Sequence, residues 1–406
     1  MKSKNHNQDS FTATSAINIS LAKSAITLLQ TYLASLGYRA QIHFELEGCY
    51  QIASENNKTA KLDFNAINQY LQRLNIDGEI VSEYWQNQWE YVSLFNGQTP
   101  LKEAMNLHQV ITNLPQWFQG LYSHHGTVKT LISPVVWSGD KGKLASGSEQ
   151  IFTNDTRAVH IPNAVQLNVS VLDCAGNNLI AKADFGEYLQ YCFLRTSYEC
   201  SLLYLPEEAA FERLALKTRY GLAQELCSPT DISGGHQGSV ALYKKVGKHN
   251  QNMGEEPLLY DNFNQVLTVQ QNWQKTARIE HRLGAASIHY NPYINVLYGL
   301  LNVIDAVEAY EKKKSLCVPE FTSIDLPKSL FTTRKLKTDN KQSLGAIDLF
   351  KDSSWFSQSI NNAQDKVNQM KGNALQVSAE LDCPMLLGDK IKAMILANYQ
   401  VKITTE

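Results

Sequence analysis

Hydrophobic residues recur at helical spacing in several parts of the chain. Between about Ser20 and Leu36 the apolar positions lie three or four residues apart, and Gly37 follows as a helix stop. Similar patterns predict further helices at 64–75, 101–121, 185–203 and 292–311. The residues before Ser20 are mostly polar, which predicts a flexible N-terminal arm at 1–19. We expect one domain to follow, over 20–406.

Other segments alternate between apolar and polar residues, as a β-strand does. The segment 38–52 places acidic side chains on one face and aliphatic and aromatic side chains on the other. Three further segments have a strand pattern, at 79–95, 165–171 and 276–283. Strands separated by amphipathic helices predict an α+β fold with a curved, mostly antiparallel sheet and helices packed outside. The segments 133–163 and 228–258 are rich in Gly and polar residues and predict surface loops.

Composition and charge narrow the class of protein. The 406 residues are 43% hydrophobic and carry a formal charge of −2. This near-neutral balance gives no electrostatic reason to expect a nucleic acid or membrane partner. No apolar run is long enough to span a bilayer, and the N-terminus lacks the apolar core of a signal peptide, so a cytoplasmic location is expected. Seven scattered cysteines without a Cys-x-x-Cys pair indicate reduced thiols.

Five glutamates lie in three of the strand-like segments, where acidic residues are normally depleted. They are Glu45, Glu47, Glu83, Glu90 and Glu280. If these strands share one sheet, carboxylates about 5 Å apart repel by roughly 3 kcal/mol per pair at an effective dielectric of about 20. Such a group must protonate or hold divalent cations. Arg278 and Arg282 alternate onto the face of Glu280 and could bind carboxylate or phosphate oxygens, so the pattern indicates a metal–phosphate enzyme.

These segments resemble the metal-binding motifs of the glutamine synthetase family. Glu45-Leu46-Glu47 is similar to the family's Glu-x-Glu strand. Residues 83–90 are similar to Glu-x-x-x-Gly-Gln-x-Glu, with Asn87 in place of the glycine. Residues 278–282 match Arg-x-Glu-x-Arg, and an Asn-Pro-Tyr triplet follows at 291–293. The resemblance keeps one order over roughly residues 20–400 and implies the family's catalytic-domain fold.

The resemblance also implies cofactors, namely ATP and two Mg²⁺ or Mn²⁺ ions. By position, one metal would be held by Glu47, Glu83 and Glu90. The second would be held by Glu45, Glu280 and Gln166, and Gln166 stands where the family has a histidine. A neutral amide is the poorer ligand, so we expect tighter metal binding at the first set.

Further residues take catalytic and nucleotide-binding roles by the same resemblance. Arg213, Arg282 and Glu280 match catalytic positions. Arg278 and Asn168 match positions that contact the nucleotide. The family's nucleotide-binding Asn-Arg-Ser segment is not recognisable here, and Lys244 could serve the phosphates instead. A solvated loop lysine and, for Arg213, a surface charge at a helix end are the alternatives.

Two departures from the family concern the acceptor. Arg219 stands where the family has its flap glutamate, and only about 20 residues precede the first predicted helix, so we expect the N-terminal β-grasp domain to be absent. The expected activity is an ATP-dependent carboxylate–amine ligase that works through an acyl phosphate. Its partners would be an amino acid or other small carboxylate and an amine other than ammonia. A non-catalytic binding or regulatory protein and a phosphotransferase are the alternatives, and a homo-oligomer is left open.

Overall fold

A computed structural model describes most of the chain, apart from several gaps. The described residues are 6–53, 62–85, 87–94, 96–137, 159–182, 184–218, 225–226, 239–244, 255–260, 266–270, 276–313, 316–332, 343–370 and 386–400. The helices are α1 (His6–Ser35), α2 (Asn65–Arg73), α3 (Pro100–Tyr122), α4 (Phe185–Ser197), α5 (Ser201–Tyr204), α6 (Glu208–Thr218), α7 (Pro292–Lys313), α8 (Ala346–Asp352), α9 (Trp355–Met370) and α10 (Leu387–Gln400). The strands are β1 (Tyr38–Ala53), β2 (Gly78–Ser82), β3 (Gln88–Ser93), β4 (Thr127–Leu131), β5 (Val135–Trp137), β6 (His160–Pro162), β7 (Val165–Asp173), β8 (Glu225–Leu226), β9 (Val240–Tyr243), β10 (Glu255–Tyr260), β11 (Val266–Gln270), β12 (Arg278–His281) and β13 (Ile324–Asp325).

A seven-stranded sheet organises the molecule. Its strand order is β2-β3-β1-β7-β12-β9, and β4 pairs with the far end of β1. Every strand pair that the structure describes is antiparallel. The prediction of an α+β fold around an antiparallel sheet is therefore confirmed.

The two faces of the sheet differ as the alternation predicts. Ile42, Phe44 and Leu46 of β1 are fully buried in the main hydrophobic core. Helix α7 lies close against this face, since a Cβ at Gly299 would stand 3.2 Å from Ile42 Cδ1 and 3.5 Å from Leu167 Cδ2. Burial of each such large aliphatic or aromatic side chain contributes about 1.5–3 kcal/mol. The helices therefore fix one face of the sheet and leave the acidic face for a site.

One helix start and two predicted loops differ from the sequence-based prediction. Helix α1 begins at His6, so most of the segment 1–19, predicted as a flexible arm, has helical backbone. The division into an arm and a catalytic domain stays a prediction. The segment 133–163, predicted as a loop, contains strands β5 and β6, and the segment 228–258 contains strand β9 and the start of β10. Strand β9 could be missed because Val240–Tyr243 supplies only four residues between polar segments.

Among the described residues, no helix combines the length and the apolar character that a membrane span requires.

Candidate active site

The three acidic segments converge on one face of the central sheet. Strand β7 lies between β1 and β12, and it pairs Gln166 with Glu45 on one side and Asn168 with Glu280 on the other. The Gln166 side-chain amide lies between Glu45 and Glu280. Its nitrogen, in the orientation that satisfies both neighbours, donates to Glu280 Oε1 at 2.5 Å and to Glu45 Oε2 at 3.3 Å. The predicted convergence of the Glu-x-Glu and Arg-x-Glu-x-Arg segments is thus present.

The second acidic segment forms the turn between β2 and β3 and the strand that follows it. Glu90 of β3 is the cross-strand partner of Glu47. Asn87 has a left-handed backbone with φ of 60°, a conformation that glycine adopts most easily and asparagine tolerates. The Glu83 backbone amide donates to Gln88 O at 3.1 Å and closes the turn. Asn87 can therefore replace the family's glycine without loss of the turn that joins Glu83 to Glu90.

Glu47 is buried and lies near the buried arginine of α6. Its Oε2 accepts a hydrogen bond from the Ala164 backbone amide at 2.8 Å. Arg213 Nη1 donates to Leu283 O at 3.2 Å, whereas its Nε has no hydrogen-bond partner within the described chain. Burial lowers the pKa of Arg213 to about 10, and the nearby Glu47 opposes that shift. Arg213 is therefore not a surface charge but a buried cation with one N–H that a ligand could use.

Glu280 is the most enclosed of the five glutamates and pairs with two arginines. Arg282 Nη1 donates to its Oε1 at 3.0 Å, and Arg278 Nη2 donates to its Oε2 at 3.3 Å. Its side chain is 1% exposed. Buried charges are tolerated when they are paired and hydrogen-bonded, so this triad is a built-in electrostatic unit of the sheet.

Tyr243 of β9 completes this group and was missed by the sequence reasoning. Its ring lies beneath Arg278, whose guanidinium carbon is 4.5 Å from the ring centroid. Its hydroxyl accepts a hydrogen bond from Arg282 Nη1 at 3.3 Å. Burial, and secondarily the Glu280 charge, raises the pKa of Tyr243 to about 12, so the phenol stays neutral. The short apolar run Val240–Tyr243, which lies between polar segments, was the available signal.

The nucleotide-binding candidates fall into two groups. Asn168 lies inside the site, where its Nδ2 donates to Glu45 Oε1 at 3.1 Å and its Oδ1 accepts from Arg278 Nε at 2.7 Å. Lys244 instead pairs with Glu187 of α4, with Nζ 2.9 Å from Oε2. Helix α4 packs on the opposite face of the sheet, so Lys244 is directed away from Glu280. Its role at the phosphates stays a prediction, and Arg219 is outside the described residues.

The carboxylates of the acidic face are the candidate ligands of a metal ion. In the described part of the chain, no three His, Cys, Asp or Glu side chains stand close enough together to hold a metal. The donor chemistry of Glu47, Glu83 and Glu90 nevertheless fits Mg²⁺ or Mn²⁺, which prefer carboxylate oxygens. Glu83 and Glu90 are only half-buried. Binding at this set stays a prediction.

Comparisons with known proteins agree with the fold. No protein-family model matches the chain, and no curated protein sequence does. A solved structure of a novel glutamine synthase homolog matches over 92% of this chain and 74% of its own, with a TM-score of 0.54 and 14% identity. A GmaS/ADP complex matches over 95% of this chain and 75% of its own, with a TM-score of 0.51 and 12% identity. The chain has a glutamine synthetase-like fold.

Proposed function

We propose that this protein is an ATP- and divalent-metal-dependent carboxylate–amine ligase. The observation that carries the proposal is the convergence of three acidic segments and two arginines on one face of the central sheet, with the Gln166 amide in contact with both Glu45 and Glu280. Burying so many charges costs stability and does nothing for folding. A site for a metal, phosphate groups and a carboxylate explains why these side chains occur together.

The acidic and the basic residues of the site would have different roles. Glu47, Glu83 and Glu90 would hold a Mg²⁺ or Mn²⁺ ion, which supplies charge neutralisation at phosphate oxygens. Arg278 and Arg282 would face phosphate or carboxylate oxygens from fixed positions beside Glu280. Arg213, buried next to Glu47, would present its unused N–H to the acid substrate. Pre-positioned positive groups of this kind stabilise a transferring phosphoryl group because they need no reorganisation during the reaction.

The proposed reaction proceeds by two successive displacements. A carboxylate oxygen of the acid takes the terminal phosphoryl group of ATP, and ADP leaves. The neutral amine nitrogen then attacks the acyl carbon, the bond between that carbon and the phosphate oxygen breaks, and a C–N bond forms as the amine gives up one proton to the departing phosphate. A GmaS structure of similar fold was solved as an ADP complex, which supports nucleotide binding in this fold.

The acceptor is proposed to be an amine other than ammonia. Arg219 stands at the position of the family's flap glutamate, so the carboxylate that helps to deprotonate ammonium in the family is missing at this position. The acid is proposed to be glutamate or another small carboxylate.

An ADP-release assay over a panel of amines and amino acids tests the proposal. We expect turnover that requires ATP, Mg²⁺ or Mn²⁺, an acid and an organic amine. Arg282→Ala should lower the rate by about 10²–10³, because it removes an electrostatic stabiliser of the transferring group. Arg195→Ala is the matched control, since Arg195 pairs with Asp305 outside the site, and its rate should not change.

Each other outcome selects a different function. Efficient glutamine formation from ammonia would contradict the proposed acceptor. ADP release that requires the acid but no amine would indicate a phosphotransferase. ATP binding without turnover for any pair would favour a non-catalytic binding protein.

A further inference from the structure

The Glu45–Glu280 side of the site contains several hydrogen-bond donors. Glu280 Oε1 accepts from Arg282 and Glu280 Oε2 accepts from Arg278. Glu45 Oε1 accepts from Asn168. With the Gln166 amide nitrogen turned toward the two carboxylates, it also donates to Glu280 Oε1 and Glu45 Oε2. N–H groups therefore already occupy part of the lone-pair capacity that a second divalent cation would require.

Three contacts hold the Arg278 side chain beside Glu280. Its Nε donates to Asn168 Oδ1 at 2.7 Å, its Nη2 donates to Glu280, and its guanidinium lies on the Tyr243 ring. Its side chain is 19% exposed, so these contacts do not enclose it completely. A planar guanidinium is permanently charged and suits both aromatic stacking and carboxylate pairing. The fixed position of Arg278 follows from side chains on three different strands.

These contacts do not fit a second metal at Glu45, Gln166 and Glu280. A dication there would approach two guanidiniums that already neutralise Glu280. We infer that Arg278 takes the place of the second divalent cation, so that the site binds one metal ion and uses a fixed guanidinium beside Glu280. The part of this inference that concerns phosphate rests on the proposed ligase function.

Metal stoichiometry tests the inference directly. Titration of the whole protein with Mn²⁺, followed by electron paramagnetic resonance and calorimetry, should give one ion per chain, with or without a non-hydrolysable ATP analogue. Two ions per wild-type chain, or none, would overturn the inference. Because this result comes from the wild type, it does not depend on whether any variant folds.

Two variants show whether Arg278 or Gln166 excludes the second metal ion. Gln166→His alone supplies the nitrogen ligand but keeps Arg278, so it should still bind one Mn²⁺ per chain. The double variant Gln166→His/Arg278→Met removes the competing charge and should gain a second ion. A second ion already in the single variant would show that Gln166, and not Arg278, excludes the metal.

A nucleotide measurement separates this inference from the proposed function. Arg278→Met should weaken binding of the ATP analogue about 10- to 100-fold, as expected for loss of a charge-assisted hydrogen bond. One Mn²⁺ per chain without ATP-dependent turnover would remove the ligase proposal and leave the metal inference intact. Unchanged analogue binding in Arg278→Met would overturn the part that places Arg278 at the phosphates.

Discussion

The two ends of the candidate site differ in the charges that surround their carboxylates. We call Gln166, Asn168, Arg278, Glu280 and Arg282 the guanidinium end, and Glu47, Glu83 and Glu90 the carboxylate end. At the guanidinium end, Arg278 of the same strand, β12, and Arg282 directly after that strand pair with Glu280. At the carboxylate end, Glu47 and Glu90 stand opposite each other on paired strands. Like charges that face each other directly destabilise a sheet.

This difference shows which charges belong to the fold and which belong to a ligand. A divalent ion about 4 Å from a guanidinium is repelled by roughly 8 kcal/mol at an effective dielectric of about 20. Such repulsion disfavours a metal at the guanidinium end. The same Coulomb term is favourable when a cation sits between two carboxylates. Two arginines therefore compensate Glu280 at the guanidinium end, whereas the three carboxylates of the other end have the donor chemistry of an exchangeable cation site.

The largest expected effect comes from breaking the guanidinium end. Glu280→Ala leaves Arg278 and Arg282 without their shared carboxylate in a buried position, which should lower the free energy of unfolding by about 3–5 kcal/mol. Urea-induced unfolding measures the change. Lys182→Met is the control, because it breaks the Lys182–Asp173 pair, in which the lysine side chain is 44% exposed, and exposed pairs contribute below about 1 kcal/mol. Equal losses in both variants would mean that the triad is not a structural unit.

The next effect concerns the carboxylate end. Glu90→Ala should abolish high-affinity Mn²⁺ binding measured by calorimetry, because it leaves only Glu47 and Glu83 as carboxylate ligands. Glu79→Ala is the matched control, since Glu79 lies on the neighbouring strand β2 and is exposed, and its Mn²⁺ affinity should equal that of the wild type. If Glu90→Ala binds Mn²⁺ as the wild type does, the metal lies elsewhere and the comparison between the two ends fails.

The sequence predicted the backbone of this site better than its contacts. Strict alternation along β1 and β12 identified the acidic face, because side-chain direction in a strand follows from position alone. The partner of Arg278 could not be predicted in that way. Whether its guanidinium reaches Glu280 or extends toward a nucleotide depends on Asn168 of β7 and Tyr243 of β9, which are distant in sequence. Strand β9 itself lay within a segment whose polar composition predicts a loop.

The smallest expected effect tests the turn that joins Glu83 to Glu90. Asn87 and Asn75 are the non-glycine residues with positive φ in the described chain, at 60° and 55°. Alanine at either position must adopt a left-handed backbone, which costs roughly 1–2 kcal/mol, so both Ala variants should lose similar stability in urea. Asn75 follows α2, whereas Asn87 precedes Gln88 in the acidic segment, so only Asn87→Ala should also weaken Mn²⁺ binding. Asn87→Gly should keep that affinity, because glycine adopts positive φ without strain. Equal Mn²⁺ affinity in Asn87→Ala and Asn75→Ala would show that the turn does not position the carboxylate end.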